Sequence, residues 1–384
     1  MREIDSKTRT LQLVMTERCN LKCRYCFETN KRNRDLPVRV ALEKVEKYLC
    51  IDDDFDGLLI DFFGGEPLLR FDEIRQIVEF VHSRQWPKKH HFNVGTNLTL
   101  LDDQMKAWLA SHRGCLTIST SLDGTKRAHD YNRWSSYDDV VKHVPFLLEN
   151  WPSQPVKMTI GADMLGEVAQ GIIEIIEMGL LVEANVVFED VWGSGEARRQ
   201  RLRTFARQLD RLVEYFTDRP DLDPPRLVSL GIADLENNRP RPDAKWCGTG
   251  DYMVAVDVDG AEYPCHRFTP YGSNNAEETH KTQGVATVQS ECATCPVVGI
   301  CPSCHAYNWE VTGDMYKRVG YHCDFMRLQF HATARLQYNR NRDAIARLAR
   351  GELEHAADPA SLAHLRRVMK GIATVQEKVP IPLL

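Results

Sequence analysis

No apolar run in this sequence approaches the roughly 18 residues that a membrane-spanning helix requires. That excludes an integral helical membrane protein, and the N-terminal stretch is too polar for a signal peptide. A basic excess is also missing: 49 Lys and Arg stand against 54 Asp and Glu, for a net charge of −5 and a pI near 6.2. Nucleic-acid binding driven by bulk electrostatics is therefore excluded. No internal repeat or low-complexity tract stands out. A soluble, cytoplasmic protein without membrane attachment is expected, and 384 residues suffice for a large core and two domains.

What the sequence does have is cysteine, 12 in all, which a cytoplasmic chain is not expected to spend on structural disulfides. Cys50 and Cys115 read as buried small hydrophobes. The other ten fall in two groups, Cys19 to Cys26 and Cys247 to Cys323, and such grouping favours metal ligation. Cys19-Asn-Leu-Lys-Cys23-Arg-Tyr-Cys26 follows the apolar run Leu11–Thr16. A short loop with three thiolates can hold three corners of an iron–sulfur cube, which usually takes four cysteines. Either a distant cysteine closes the site or one iron stays open for a small molecule. Structural zinc wants four ligands, and none other lies nearby. Buried thiols fit poorly beside Glu17, Arg18, Lys22 and Arg24.

Strands are predicted at Leu11–Thr16, Leu58–Phe63, His91–Thr96, Leu116–Ser121, Val156–Gly161 and Val182–Phe188. Helices are predicted at Val38–Cys50, Phe71–Arg84, Asp102–His112, Tyr137–Asn150, Leu165–Met178 and Glu196–Thr217. Periodicity shows in Ile74, Ile77, Val78 and Val81. Alternation of this kind implies an α/β chain of parallel βα units, curled into a partial (β/α)6 TIM-like barrel over residues 1–217. In such a barrel chemistry sits where strand C-termini meet the following loops, which is where the first cysteine loop lies. Residues 218–244 read as a Pro-rich connector. A cysteine-rich segment follows at 245–326, with a hairpin of Met253–Val258, a turn at Asp259-Gly260 and a return at Ala261–Tyr263. Residues 327–384 form a C-terminal segment whose stretch to residue 371 reads as Ala-, Arg- and Leu-rich helices packed on the barrel.

Cys-x3-Cys-x-Tyr-Cys after a first strand resembles the signature of radical S-adenosylmethionine (SAM) enzymes. The resemblance implies that Cys19, Cys23 and Cys26 bind a 4Fe–4S cluster whose open iron chelates SAM, with Tyr25 against the adenine. It implies reductive cleavage of SAM to a 5′-deoxyadenosyl radical that abstracts hydrogen, the cofactor carrying the hard chemistry. Phe63-Gly64-Gly65-Glu66-Pro67 resembles the family's GGEP motif, implicated in gripping the SAM amino group. Two glycines permit close backbone approach, and Glu66 offers a carboxylate to a cation; an ordinary Gly-Gly turn is the alternative. Asn97 ends the third strand and Ser121-Leu-Asp123-Gly124 the fourth, both resembling positions that line the SAM pocket. Ser121 and Arg133 are candidate contacts to the SAM carboxylate; Asp123-Gly124 read as a bare turn and Arg133 as a solvated charge are the alternatives.

Cys247-x12-Gly260-x4-Cys265, then Cys292-x2-Cys295-x5-Cys301-x2-Cys304 and Cys323, resembles the seven-cysteine SPASM domain with two auxiliary 4Fe–4S clusters. The family places x3 where x2 precedes Cys304 here. Its interleaved arrangement implies one cluster on Cys292, Cys295, Cys301 and Cys323, and another on Cys247, Cys265 and Cys304 with an open position. A zinc ribbon is the competing reading, which seven cysteines fit poorly.

The resemblance covers residues 8 to about 326 and is nearest to SPASM enzymes that modify peptides. Sulfatase-maturing relatives carry an Asp after the second SPASM cysteine as a base; here it is His266, a candidate base. The preferred expectation is a maturase that crosslinks a ribosomally made peptide, through a thioether or carbon–carbon bond. Oxidation of Cys or Ser to formylglycine, peptide epimerisation and small-molecule dehydrogenation are alternatives; outside enzymes, an iron–sulfur electron carrier or zinc-ribbon binder. A flavodoxin or ferredoxin would donate electrons. Because the first strand comes by about residue 10, leader recognition would fall to a separate protein, to the C-terminal helices, or to none. Tyr307 and Trp309 read as packing residues.

Overall fold

The computed structural model describes residues 7–235, 247–272, 290–353 and 358–384. The second half of the expected connector, 236–244, lies outside the described residues, as does 273–289 within the cysteine-rich segment. The order is β1 (Thr8–Thr16), α1 (Val38–Cys50), β2 (Gly57–Gly64), α2 (Phe71–His82), β3 (Lys89–Thr96), α3 (Asp103–Ser111) and β4 (Leu116–Thr120). Next come α4 (Lys126–Asn132), α5 (Tyr137–Val141), α6 (Val144–Asn150), β5 (Val156–Ile160), α7 (Val168–Glu177), β6 (Val182–Val186) and α8 (Gly195–Thr217). The rest is β7 (Met253–Val256), β8 (Glu262–Tyr263), α9 (Ser290–Ala293), α10 (His305–Thr312), α11 (His322–Ala349) and α12 (Pro359–Lys378).

The chain forms two compact units. The first comprises residues 1–159, 173–182 and 245–284 and holds a sheet of order β4-β3-β2-β1-β7-β8. β1 to β4 run parallel, in the registers Leu11↔Ile60, Ile60↔Phe92 and Phe92↔Leu116. Those four side chains are at most 1% exposed on the helix-covered face, where α2 adds Ile74, Ile77, Val78 and Val81. Beyond β4 the wall continues to β5 through a single bridge, Ser121↔Lys157. The expected hairpin forms, with Gly260 at φ 83 in its turn. Its first strand lies parallel to β1, Thr10↔Met253 through Leu13↔Val256, which makes it an extension of the main sheet. Glu262 fastens it to α1 by accepting from Lys44 Nζ at 2.8 Å, Lys47 Nζ at 2.7 Å and the Tyr48 hydroxyl at 2.9 Å.

Three local differences from expectation have simple causes. The single helix expected over Tyr137–Asn150 breaks into α5 and α6 because Pro145 has no N–H to continue the first. α4, which periodicity did not mark, is capped by Thr125, whose hydroxyl accepts from the Ala128 amide at 3.2 Å. Cys50 and Cys115 are not buried: Cys50 is exposed and Cys115 half-buried. Cys50 lies off the buried stripe of α1, Ala41-Val45-Tyr48-Leu49, and the Cys115 thiol sits 3.7 Å from His82 Nε2.

The second unit comprises residues 160–172, 183–244 and 285–384. Here α11 and α12 pack with the 230–232 stretch around a core of Leu230, Ile232, Met326, Phe330, Val368 and Val375. Arg340 ties α11 to the end of α8 through the carbonyls of Phe216 at 2.9 Å and Arg219 at 3.0 Å. Tyr307 is buried, as expected, with its hydroxyl 2.8 Å from that of Tyr321. No helix among the described residues is long and apolar enough to cross a membrane.

Candidate active site

The cysteine loop leaves the C-terminal end of β1 and is stitched to the C-terminal end of β2. The Gly65 amide donates to the Thr16 carbonyl and the Glu66 amide to the Arg18 carbonyl, each at 2.9 Å. This explains both glycines. Gly64 has φ 131, and a Cβ there would lie 2.4 Å from the Thr16 carbonyl oxygen; a Cβ on Gly65 would lie 2.1 Å from that of Arg18. The close approach that the sequence predicts is thus made to the chain's own cysteine loop.

Glu66 is 1% exposed. Its carboxylate accepts from the Leu68 amide at 3.0 Å, the Thr96 hydroxyl at 2.7 Å and the Asn97 amide at 2.8 Å, so it joins the ends of β2 and β3. Burial pushes it up to about 7 against the pull of those three donors. Asn97 then reaches the loop, with Nδ2 2.9 Å from Asn20 Oδ1 and 4.0 Å from Cys19 Sγ.

Asp123, 1% exposed after β4, is a hub. It accepts from the Tyr25 hydroxyl, from Arg133 Nε at 3.0 Å and from the Thr159 amide at 3.0 Å. The Arg133 guanidinium lies 5.3 Å over the Tyr25 ring. Burial works against the Arg133 charge, but Asp123 and the facing Tyr25 and Cys23 raise its affinity for the proton above the ordinary range. Arg133 is therefore a buried ion-pair member, which corrects the solvated-charge alternative. Sequence reasoning places Asp123 in a stretch resembling the SAM-pocket lining, with a bare turn as the alternative, and misses its part as a hub. Ser121 is half-buried in the bridge to Lys157.

The three thiols influence one another, and burial raises all of them, Cys26 to about 11 with help from Glu28. Lys31 faces Cys26, Glu28 and Cys19, and the Leu21 amide points at Cys19 Sγ at 3.5 Å. Three half-exposed thiols ringed by N–H and ammonium donors suit an iron–sulfur group, whose sulfurs take such hydrogen bonds. Among the described residues no three His, Cys, Asp or Glu side chains are placed to hold one metal ion.

A polar row that sequence reasoning missed crosses the sheet in register: Gln12↔Asp61, Asp61↔Asn93 and Asn93↔Thr117. Gln12 Nε2 donates to Asp61 at 3.0 Å, Asn93 Nδ2 to Asp61 at 2.6 Å, and Thr117 and Ser119 to Asn93. His266 closes the row, its Nδ1 2.9 Å from Gln12 Oε1 and its ring 4.2 Å from Phe63. Burial, then Arg267 and Lys157, lowers His266 to about 3, so the imidazole is neutral. Single polar residues at even spacing inside apolar strands were the signal that could have found this row.

In the second unit Cys292, Cys295, Cys301 and Cys323 lie close enough to perturb one another, and burial pushes Cys301 up to about 12. These are the four cysteines expected to share one auxiliary cluster. Cys247 and Cys265 belong to the first unit, where the Thr249 hydroxyl and Gly250 amide join their two turns through the Pro264 carbonyl. Cys304 belongs to the second.

The family model described as the Radical SAM superfamily matches residues 13–178. This segment is a radical SAM domain. Membership implies SAM and one 4Fe–4S cluster. The chain is 22% identical over 209 residues to the radical SAM cyclopropyl synthase TigE of Paramaledivibacter caminithermalis, covering 48% of this chain and 44% of TigE. It thus spans less than half the length of that curated relative. A structure of native anSMEcpe with bound AdoMet and Kp18Cys peptide superposes with a TM-score of 0.65 at 17% identity, covering 90% of this chain and 99% of that one. Streptococcus suis SuiB bound to precursor peptide SuiA gives 0.52 at 16% identity, covering 82% and 76%. At these identities the likeness establishes the fold.

Proposed function

We propose that the protein is a radical SAM/SPASM maturase that abstracts hydrogen from a peptide and installs a thioether or carbon–carbon crosslink. The observation that carries the reading is the union, in one radical SAM domain, of the three-thiol loop with the buried Tyr25–Asp123–Arg133 network and the Glu66–Asn97 junction. Cys19, Cys23 and Cys26 would hold the 4Fe–4S group; when bound with SAM it supplies the one-electron reduction that generates an adenosyl radical. Around it, Asp123 fixes Arg133 and Tyr25, which orient SAM. Glu66 and Asn97 hold two strand ends at the loop, and Ser121 stands at the third. The peptide substrate is supported by the folds shared with proteins solved with peptides and by the half-buried polar row, which can meet a peptide's amide groups. Cys292, Cys295, Cys301 and Cys323 would hold one auxiliary cluster.

Oxidation to formylglycine is the second reading, with His266 where sulfatase-maturing relatives carry an Asp. Its Nδ1–H donates to Gln12 and leaves Nε2 as a neutral acceptor, but at about 3 it is a weak base. Holoenzyme incubated with SAM, dithionite and a candidate peptide decides between them. Loss of two hydrogens without an aldehyde supports the crosslink; a hydrazide-reactive aldehyde supports formylglycine. Unchanged mass in H2O, with a gain of about one mass unit at a single Cα when the reaction is run in D2O, contradicts both in favour of epimerisation.

A further inference from the structure

We propose that the outer face of the cysteine loop, built from Lys22, Arg24, Tyr131 and Trp134, is the docking surface for an acidic one-electron carrier protein. The proposal rests on the reading that Cys19, Cys23 and Cys26 hold a redox cluster. Lys22 and Arg24 flank Cys23 and are both exposed. Each lies over an aromatic ring: Lys22 Nζ is 5.0 Å from the centre of Trp134, and the Arg24 guanidinium 4.1 Å from that of Tyr131. Neither forms an ion pair among the described residues, although the chain as a whole is acidic at −5. Asp130, next to Tyr131 in the chain, is engaged by Lys126 at 3.3 Å, which also meets Asp138 at 2.5 Å.

Trp134 adds an independent observation. It is 55% exposed, and it and Ser135 both adopt left-handed backbone, φ 58 and 56, which is costly for a bulky residue. The turn is over-determined from both sides. Arg133 before it is paired with Asp123, and Ser136 after it donates to the Arg133 carbonyl at 2.7 Å and meets His129 at 3.0 Å. One strained turn therefore sends Arg133 inward to the site and Trp134 outward beside Lys22. A locally basic, aromatic patch on an acidic protein has the complementarity that steers and orients a negatively charged partner. Its place on the thiol loop suits a carrier that loses one electron as the group held by the three thiolates gains it.

The test titrates holoenzyme with a flavodoxin of strongly negative charge at low and high salt, for wild type, Lys22→Glu, Lys22→Arg and Trp134→Ala. Lys22→Glu should weaken binding about tenfold at low salt and flatten the salt dependence, and Lys22→Arg should restore both. Trp134→Ala should weaken binding with its salt slope intact. Flavodoxin-driven release of 5′-deoxyadenosine should fall with affinity, while the dithionite-driven rate stays at the wild-type value. Wild-type affinity and salt slope in Lys22→Glu would overturn the proposal. So would loss of peptide affinity with flavodoxin binding intact, which would assign the face to substrate. Failure of wild type to cleave SAM with dithionite would break the underlying reading instead, and the binding comparison would still decide the docking face.

Discussion

The two cysteine sets differ in what surrounds them. In the first unit Cys19, Cys23 and Cys26 sit among polar groups: Glu28 and Lys31 beside the thiols, Asn97 at Cys19, and the Asp123–Arg133 pair facing Cys23. In the second unit Cys295 and Cys301 pack against an apolar core that includes Val297, Ile300, Met326 and Phe330. Charged neighbours with one ligand missing describe a place that receives a polar molecule. Cys295 and Cys301 against an apolar core, with Arg318 facing Cys301 and Arg327 and Asp324 facing Cys323, describe a more enclosed set. The contrast supports the proposed division, with the chemistry at the first set and an auxiliary cluster at the second.

The comparison can be broken most severely at Cys301. Cys301→Ser should remove about four irons per chain and abolish peptide product, while dithionite-driven cleavage of SAM continues; loss of that cleavage would show that the two sets do not divide the work. Next in size, Asp123→Asn leaves the buried Arg133 charge without its partner and should cost about 3–5 kcal/mol in urea unfolding. A cost below about 1 kcal/mol would mean that the polar surroundings of the first set are incidental. Smallest is Glu262→Gln, which tests whether the hairpin beside Cys265 is held to α1 by charge. Burial raises Glu262, but hydrogen bonds from Lys44, Lys47 and Tyr48 outweigh it and hold the carboxyl at about 2, below its ordinary 4.5. A depressed carboxyl stabilises the fold above pH 4.5, and that contribution fades as pH falls toward 2. The wild type should exceed the variant by about 1 kcal/mol at pH 7, after allowance for solvent screening, with the gap closing below pH 4.5. A gap independent of pH would contradict the assignment.

Legibility in the sequence followed locality. The cysteine spacing and the Gly64-Gly65-Glu66-Pro67 strand end were readable because each is a short motif directly after an apolar run. Strands β1 to β4 were readable from alternation with helical periodicity. Long-range pairing was not. Nothing near Met253 signals that β7 runs parallel to β1, because its partner Thr10 is remote in the chain. Asp123 gave no sign of being a hub, since Tyr25, Arg133 and Thr159 converge on it only once the strand ends are side by side. The role of the two glycines was readable in kind, a close approach, but not in partner, the carbonyls of Thr16 and Arg18. The polar row from Gln12 to Thr117 depends on register, which no single strand encodes.

The central claim is that Cys19, Cys23 and Cys26 hold the group that cleaves SAM. Its most direct test compares 5′-deoxyadenosine release by anaerobically reconstituted, dithionite-reduced wild type and the triple Cys19→Ala, Cys23→Ala, Cys26→Ala variant, each supplied with SAM. Release by wild type alone, with the variant short of about four irons, is the predicted result; release by the variant at the wild-type rate would contradict it.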